Sequence, residues 1–454
     1  MSHDHRAEIL TDVAAQATTD PLELGDKRYV DMSAGRESDD LKYLRMHIED
    51  RSAEDNQFAK VAFTGHRGCG KTTELYRLER DLGPRFLALH LSIDNDLLSD
   101  CKYTDLLLWL TESLVERSCK DPRLATLDAG LVKDVTDWFT QETLETTQKV
   151  KSEIELTAQA EPSGLGGSLG LLARVKSMVQ SSVEHRRHVR RVLQSYGAEL
   201  VRKVNLLLDN AHEVLGASGI TDLLIVQDNL EKMPAEPSKI LFFDHGDLLK
   251  QLRAHVIYTV PIAMILAPWD IGKVFDNTWS MPMVKTSHPS GEDCEEGINA
   301  LVGLLDGRVV VNRVFESRAV AEEMVRFSGG SVRDLIRLLN TAQMAARVDG
   351  KTSIDIDSVK QAVKKMRIEF ERLLIPGSVY YPLLARVHRS KSAQFLDEGD
   401  ASPDKVQADR EFFSQLLFNA SVMEYNGERS WYDVHPIITQ IEEFKDATDE
   451  QNSE

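Results

Sequence analysis

The 454-residue sequence has few of the features that mark secreted, membrane-spanning or disulfide-bonded proteins. Its four cysteines, Cys69, Cys101, Cys119 and Cys294, lack the paired spacing of metal ligands, which favours free thiols in a reducing compartment. No uncharged apolar run reaches about 18 residues, so no transmembrane helix is expected. The start of the chain lacks the basic and apolar layout of a signal peptide, so we expect a cytoplasmic protein with no membrane partner.

Basic residues are also in deficit. The chain has 54 Lys and Arg against 73 Asp and Glu, which gives a net charge of -19 at pH 7. This charge disfavours non-specific coating of nucleic acid or of anionic membranes, although it leaves room for a local basic patch. The hydrophobic content of 42% is ordinary for a globular protein, and the length predicts two or three domains.

One stretch has the residues of a phosphate-binding loop. From Gly65 to Thr72 the chain reads G-x-x-x-x-G-K-T. Gly65, Gly68 and Gly70 permit tight turns in which backbone N–H groups face a phosphate. Lys71 can reach the β- and γ-phosphates, and the hydroxyl of Thr72 can ligate Mg²⁺.

The residues around this loop give it the expected context. Lys60 to Thr64 is a β-branched and aromatic run that predicts a buried strand, and a helix is predicted from Thr72 to about Asp81. Such a helix would add its N-terminal dipole to the anion site. The candidate nucleotide-binding residues are Gly65, His66, Arg67, Gly68, Cys69, Gly70, Lys71, Thr72 and Thr73.

A later apolar run supplies an acidic residue for the same chemistry. Residues 223–227 predict a buried strand that ends at Asp228, where a carboxylate can hold the Mg²⁺ shell. Asn229 follows, and an amide cannot act as a general base. Glu231 could replace the missing acid if the backbone turns there.

Two further polar residues are candidates. Thr259 lies near the end of the predicted strand His255–Pro261, where it could hydrogen-bond the γ-phosphate or the attacking water. A fifth short strand is predicted from Met281 to Lys285. Arg333 lies in the first turn of a capped helix that follows a Gly-Gly turn, and a cation there opposes the helix dipole. This position suggests a phosphate contact.

An unusual segment separates the second predicted strand from the one that ends at Asp228. Residues 141–183 are interpreted as an insertion, with strand-like alternation at 153–158 and a glycine-rich flexible loop at 162–170. The insertion is either a loose surface excursion or a contact arm for a partner or second subunit.

A long amphipathic helix is predicted across 184–216. Its start carries Arg186, Arg187, Arg190 and Arg191. These arginines form a solvated charged face, or they contact a neighbouring subunit's phosphate or a nucleic acid.

The C-terminal part predicts helices followed by a hairpin that turns at Asn426-Gly427, an arrangement like a winged helix. In a DNA-binding version the second helix would carry Lys and Arg. Here that helix, 409–418, is acidic and apolar, which favours contact with protein over DNA.

Together these motifs resemble the AAA+ ATPases, in particular the origin-recognition-like branch and the related STAND signalling ATPases. The resemblance covers about residues 25–372 and implies an α/β fold: a P-loop NTPase core with a parallel sheet, a helical lid and a C-terminal winged-helix-like domain. It implies ATP and Mg²⁺ as cofactors, with Lys71 and Thr72 on phosphate and metal. It also implies Asp228 as the magnesium acid, with Thr259 and Arg333 as the first and second sensors.

The sequence departs from the family pattern at two points. Asn229 stands where the family has a second acid, and no arginine occurs between Arg253 and Arg308, where the trans-acting arginine is expected. Hydrolysis is therefore expected to be slow, or to need an arginine from elsewhere, such as Arg186 or Arg190. The expected domains are an N-terminal segment with a linker helix (1–56), the ATPase core (57–290), the lid (291–374) and the winged-helix-like domain (375–454).

The leading interpretation is an ATP hydrolase that acts as a nucleotide-dependent switch. It would drive self-assembly into a homo-oligomer or engagement of a protein partner, in a bacterial stress or antiviral response. One alternative is a DNA-associated ATPase of the initiator or loader kind. Another is a pseudo-ATPase scaffold that binds nucleotide for stability alone.

Overall fold

The computed structural model describes residues 5–144, 164–181, 197–265, 271–375, 378–394 and 403–453. The chain forms two compact units. The loop unit comprises Met1–Leu41, Gly65–Arg77 and Ser280–Glu454, and the sheet unit comprises Lys42–Thr64 and Leu78–Trp279. The predicted domain boundaries stay predictions. None of the helices that the structure describes combines the length and apolar composition of a membrane span.

Seven strands occur in the described residues: β1 Lys60–Gly65, β2 Phe86–Ser92, β3 Asp222–Asp228, β4 His255–Thr259, β5 Asn277–Met281, β6 Val422–Tyr425 and β7 Trp431–Val434. The longer helices are α1 Asp40–Glu49, α2 Lys71–Asp81, α3 Tyr103–Lys120, α4 Ala129–Leu144, α5 Leu165–Ser181, α6 Gly197–Gly216, α7 Glu295–Asp306, α8 Arg318–Phe327, α9 Val332–Val348, α10 Ile356–Leu374, α11 Tyr380–Ser390, α12 Pro403–Phe418 and α13 Glu442–Ser453. Short α-helices span Val13–Gln16, Ser33–Arg36, Ala235–Lys239, Gly246–Lys250 and Val311–Val314.

The first five strands form one sheet in the order β2-β3-β4-β1-β5. The pairs β2–β3, β3–β4 and β4–β1 are parallel. β1, β3 and β4 are buried along their whole length, as expected of central parallel strands with near-continuous apolar sequence. The predicted α/β fold class is therefore confirmed.

The position of the fifth strand differs from the sequence prediction. The predicted strand Met281–Lys285 is wrong, because β5 ends at Met281. The backbone N–H groups beyond it bond outside a sheet ladder: Met283 donates to the carbonyl of Glu424 (3.1 Å), and Lys285 donates to that of Gly35 (2.9 Å). These long-range partners were not predictable from the local apolar run.

In the sheet unit, four of the longer helices, α3 to α6, lie between β2 and β3 among the residues that the structure describes. Helix α5 packs against α3 and α4, and α6 packs against α3 and α4. The predicted glycine-rich loop at 162–170 is wrong from Leu165 onward, where α5 begins. Leu172, Val175 and Val179 of α5 are fully buried in the core, and this burial outweighs the low helix propensity of its glycines.

Some predicted features lie outside the described residues. These are the strand-like alternation at 153–158 and the four arginines at 186, 187, 190 and 191. The predicted long helix is described only from Gly197, where α6 begins. The four cysteines are free, as expected.

The loop unit contains the predicted capped helices and the hairpin. The side chain of Ser331 accepts a hydrogen bond from the N–H of Asp334 at the start of α9, and Asp355 caps α10 in the same way. β6 and β7 pair antiparallel, and the rings of Tyr425 and Trp431 stack at 4.5 Å. The predicted succession of helices and hairpin at the C-terminus is thus observed.

Candidate functional site

The backbone of the predicted phosphate-binding loop requires glycine at its three glycine positions. Gly65, Gly68 and Gly70 have φ values of 148°, 86° and 100°, which side chains rarely adopt. A Cβ atom on Gly65 would lie 2.5 Å from the carbonyl oxygen of Met281. One on Gly68 would lie 2.7 Å from the Cβ of Arg333. At Gly65 and Gly68, neighbouring residues therefore leave no room for a side chain, whereas at Gly70 only the positive φ favours glycine.

The lysine of the motif is buried and held by its own loop. Nζ of Lys71 donates hydrogen bonds to the carbonyl oxygens of Gly65 and His66, both at 2.9 Å. These bonds hold the Lys71 side chain against the loop, so its ammonium group has a fixed position. A fixed cation beside a turn of backbone N–H groups is an arrangement that suits a phosphate.

Arg36 is a functional candidate that our sequence reasoning missed. Its guanidinium is buried and donates a 2.6 Å hydrogen bond to the carbonyl of Cys69, and it lies 3.6 Å from a carboxylate oxygen of Glu74. Because the C=O and N–H of a trans peptide point in opposite directions, this bond directs the N–H of Gly70 away from Arg36. In the sequence, only the tripeptide Gly-Arg-Glu before α1 could have drawn attention to Arg36.

The backbone of Arg333 contacts the predicted phosphate-binding loop. The N–H of Arg333, in the first turn of α9, donates to the carbonyl of Gly68 at 3.1 Å. Arg333 therefore adjoins the loop through its backbone, and the role of its side chain as a second sensor stays a prediction.

Two variable residues of the loop contact the C-terminal part of the chain. His66 is fully buried. Its Nε2 accepts a 2.7 Å hydrogen bond from the N–H of Glu424 in β6, and its Nδ1 lies 3.3 Å from the carbonyl of Leu417 in α12. The guanidinium of Arg67 lies over the ring of Phe418, 4.1 Å from its centre. Nothing in the sequence pattern indicated these contacts.

In the sheet unit, Asp228 contacts a histidine that sequence reasoning also missed. Nε2 of His90 lies 3.3 Å from Oδ2 of Asp228, and Nδ1 lies 2.5 Å from Glu79. Burial disfavours a charged imidazole, but the hydrogen bonds to Asp228 and Glu79 outweigh burial and raise the pKa of His90 to about 9. A cation therefore faces the predicted magnesium acid. The only signal was one histidine in an apolar strand.

Asn229, the residue after Asp228, has a structural role. Its φ is 72°, a left-handed conformation that Asn tolerates better than most residues. Its amide nitrogen donates to the hydroxyl of Ser92 (2.5 Å) and the carbonyl of Ile93 (3.3 Å). The amide thus joins the ends of β2 and β3, and a carboxylate could not make these donations.

Thr259 and Glu231 lie close to Asp228 in the chain's fold. The hydroxyl of Thr259 accepts from the N–H of Leu230 (3.0 Å) and donates to the carbonyl of Gln227 (3.3 Å). It is fully buried and bridges β4 to the turn after β3. Glu231 is buried within the short 3-10 turn Leu230–Lys232. Their catalytic roles stay predictions.

The predicted site residues therefore fall into two sets. Gly65–Thr73 and Arg333 belong to the loop unit, whereas Asp228, Glu231 and Thr259 belong to the sheet unit. The predicted magnesium pair, Thr72 and Asp228, has one member in each set.

No protein-family model matches the chain. No curated protein matches it either. Among solved structures, it is similar to Aeropyrum pernix ORC2 in its ADPNP-ADP complexes, at 13% identity and a TM-score of 0.40, over 91% of this chain and 94% of that one. Cdc6p from Pyrobaculum aerophilum matches at 12% identity and a TM-score of 0.38, over 93% and 96%. The Thermotoga maritima RuvB branch migration motor matches at 12% identity and a TM-score of 0.35, over 89% of this chain and 93% of that one. At this level of similarity, these matches do not assign the chain to a family.

Proposed function

We propose that this protein is a Mg²⁺-dependent ATP-binding P-loop ATPase of the AAA+/STAND kind. The observation that carries the proposal is the geometry of the loop, in which three glycines have positive φ and Lys71 is held against two loop carbonyls. A lysine fixed beside a tight glycine-rich turn complements the negative charge of a polyphosphate. ATP is the nucleotide that the resemblance implies.

The residue types proposed as ligands also suit the metal. Mg²⁺ prefers oxygen ligands, commonly one or two protein oxygens together with phosphate and water. The hydroxyl of Thr72 and the carboxylate of Asp228 would supply those protein oxygens. When bound, the metal would neutralise phosphate charge, while Lys71 and the loop amides orient the phosphates.

Turnover is proposed to be slow or activated by a partner. Asn229 cannot accept a proton from water, and its amide is engaged at the ends of β2 and β3. Glu231 is the nearest remaining acid in the sequence. A slow ATPase can persist in its nucleotide-bound state for long enough to act as a switch.

Steady-state ATP turnover tests this proposal. We expect wild-type protein to turn over ATP and Lys71→Ala to lose both binding and turnover. Glu231→Gln should bind ATP with the wild-type affinity and lose turnover if Glu231 is the base. If ATP binds without turnover in the wild type, the protein is a nucleotide-binding scaffold. If Lys71→Ala binds ATP as well as the wild type does, the loop is not the nucleotide site.

We further propose that nucleotide promotes assembly of copies of this chain or engagement of a protein partner, in a stress or antiviral response. The contact between Arg333 in α9 and the loop at Gly68 supports coupling of α9 to nucleotide. Light scattering with and without ATP, combined with limited proteolysis of residues 291–374, tests the switch. An unchanged mass together with unchanged cleavage would refute it.

A DNA-associated ATPase is the second candidate, and the helix-and-hairpin arrangement at the C-terminus favours it. Against it, the end of α12 and strand β6 are used in contacts with the loop at His66 and Arg67. A salt-dependent affinity for duplex DNA that is weakened when Arg186, Arg187, Arg190 and Arg191 are changed to Ala would support this alternative.

A further inference from the structure

His66 connects the phosphate-binding loop to two elements of the C-terminal segment, which we define as residues 403–434. Its ring is fully buried, with Nε2 accepting from the N–H of Glu424 in β6 and Nδ1 facing the carbonyl of Leu417 in α12. These partners lie 358 and 351 residues from His66 in the sequence. The side chain of His66 therefore belongs to the loop and is buried against the C-terminal segment.

The protonation state of His66 matches both partners. A neutral imidazole with its hydrogen on Nδ1 can donate to the carbonyl of Leu417 while Nε2 accepts from Glu424. Burial, together with the nearby charge of Lys71, lowers the pKa of His66 to about 3. The imidazole is therefore neutral at neutral pH, and each ring nitrogen has a partner of the required kind.

Two further contacts and one close approach strengthen this docking. The guanidinium of Arg67 covers the ring of Phe418. The hydroxyl of Tyr425 donates to the carbonyl of Gly329 at 2.7 Å, and a Cβ on Gly329 would meet the sulfur of Met423 at 2.7 Å. The hairpin thus contacts both the loop and the Gly-Gly turn that precedes α9.

His66 also connects the C-terminal segment to Lys71. The carbonyl of His66 accepts one of the two 2.9 Å hydrogen bonds that hold Nζ of Lys71. The side chain of His66 is bound by the C-terminal segment, and its backbone positions the ammonium. Fixing this residue therefore orders part of the anion site before any anion arrives.

We propose that docking of the C-terminal segment raises the affinity of the loop for nucleotide, and that His66 carries this coupling. The inference rests on the proposed nucleotide-binding function of the loop. A loop that is already ordered loses less conformational freedom when it binds phosphate, so the docked state binds ATP more tightly. Because binding free energies are reciprocal, ATP in turn strengthens the docking. The C-terminal segment therefore reports the state of the loop.

Hydrogen exchange on the full-length protein measures this coupling directly. The amide of Glu424 donates to His66, so its exchange reports undocking. We expect saturating ATP with Mg²⁺ to slow exchange of a peptide spanning 419–425 by about tenfold, in the range usual for coupled sites. His66→Phe keeps a ring of similar size without either hydrogen bond, and should weaken ATP binding about tenfold and abolish the slowing. His66→Gln retains a donor and an acceptor and should recover part of the affinity.

A matched pair of variants separates docking from general stability. Phe418→Leu removes the ring under Arg67, whereas Phe412→Leu makes the same change on α12 at a ring that packs on Tyr380. We expect weaker ATP binding in Phe418→Leu and wild-type binding in Phe412→Leu. This pair keeps the test decisive if His66→Phe does not fold.

The outcomes distinguish the inference from the function on which it rests. Suppose that the wild type binds ATP through Lys71, that Phe418→Leu and any folded His66 variant bind ATP equally well, and that ATP does not change hydrogen exchange at 419–425. The coupling is then refuted, whereas the nucleotide site stands. If no Lys71-dependent ATP binding is found, both fall. The coupling is supported if Phe418→Leu binds ATP more weakly than the wild type, Phe412→Leu binds it equally well, and ATP slows hydrogen exchange at 419–425.

Discussion

The guanidinium of Arg36 donates a 2.6 Å hydrogen bond to the carbonyl oxygen of Cys69 in the predicted phosphate-binding loop. Both residues are buried, and Glu74 of α2 lies 3.6 Å from the same guanidinium. Arg36 therefore holds one loop peptide in place and also faces the acid of the helix that follows the loop. We therefore expect Arg36 to position the loop.

Replacing Arg36 should disturb the loop before it disturbs the rest of the fold. Arg36→Met removes the donor to Cys69 and leaves the buried carboxylate of Glu74 without this cation. We expect a loss of stability of about 1–3 kcal/mol, because the substitution removes a buried hydrogen-bond donor and one of the cations near a buried carboxylate. We also expect weaker ATP binding.

The double variant Arg36→Met with Glu74→Gln is the control for charge. It should recover stability but not ATP affinity, because the peptide of Cys69 still lacks its donor. Urea unfolding and ATP titration measure the two quantities. Wild-type ATP affinity in Arg36→Met would show that the Cys69 contact has no positioning role.

Placing an acid next to Asp228 is predicted not to raise ATP turnover. Asn229→Asp loses the amide donations to Ser92 and Ile93 and places a second carboxylate beside Asp228. We expect a destabilisation of about 1–2 kcal/mol and no rise in ATP turnover. Asn229→Gly, which also tolerates the positive φ of 72°, is the control for backbone strain. A rise in turnover in Asn229→Asp with unchanged stability would contradict this account.

The hydroxyl of Thr259 is predicted to contribute to stability through the two hydrogen bonds at the end of β4. Thr259→Val keeps the shape but leaves the N–H of Leu230 and the carbonyl of Gln227 without that partner. We expect a loss of about 1–3 kcal/mol in urea unfolding, with Thr259→Ser close to the wild type. A sensor role adds a second effect: turnover should fall in Thr259→Val under conditions where the variant is fully folded. Unchanged turnover there would leave Thr259 as a structural residue.

Acidification should weaken the protein through His66. The pKa of His66 falls from 6.5 to about 3 because of burial and of the charge of Lys71, so the folded state holds fewer protons than the unfolded state between these values. Stability from this group is therefore complete above about pH 6.5 and decreases as the pH falls toward 3, by up to about 1.4 kcal/mol per pH unit. Urea unfolding of the wild type and of His66→Gln at several pH values measures how the free energy of unfolding of each protein depends on pH. Subtracting one from the other removes the contribution of the carboxylates that both proteins share. The same pH slope in the two proteins would refute the prediction.

Local sequence patterns predicted the elements that local physics controls. The apolar run before Gly65 is a buried strand, the helix after the loop begins at Lys71, and the hairpin pairs Tyr425 with Trp431 across its turn. Each of these depends on residues close together in the chain, such as β-branched runs, a glycine turn or an Asn-Gly pair. The spacing of the loop glycines likewise agrees with their positive φ values.

The same reasoning failed where a distant contact outweighed a local preference. The glycines after Leu165 indicated a loop, but burial of Leu172 and its neighbours against α3 and α4 makes the segment helical. The apolar run from Met281 indicated a strand, but its backbone groups bond to Glu424 and Gly35. Propensity is a weak local energy that tertiary packing can exceed.

The sequence by itself determined that this chain has a glycine-rich turn with a lysine between a buried strand and a helix, because every requirement of that motif lies within about a dozen residues. Only the tertiary structure decided which side chains surround the motif. Arg36, His90 and the pairing of His66 with Glu424 arise from chain segments that meet after folding, the last of them 358 residues apart. No periodicity or spacing encodes such a contact, because it depends on how separate elements pack together.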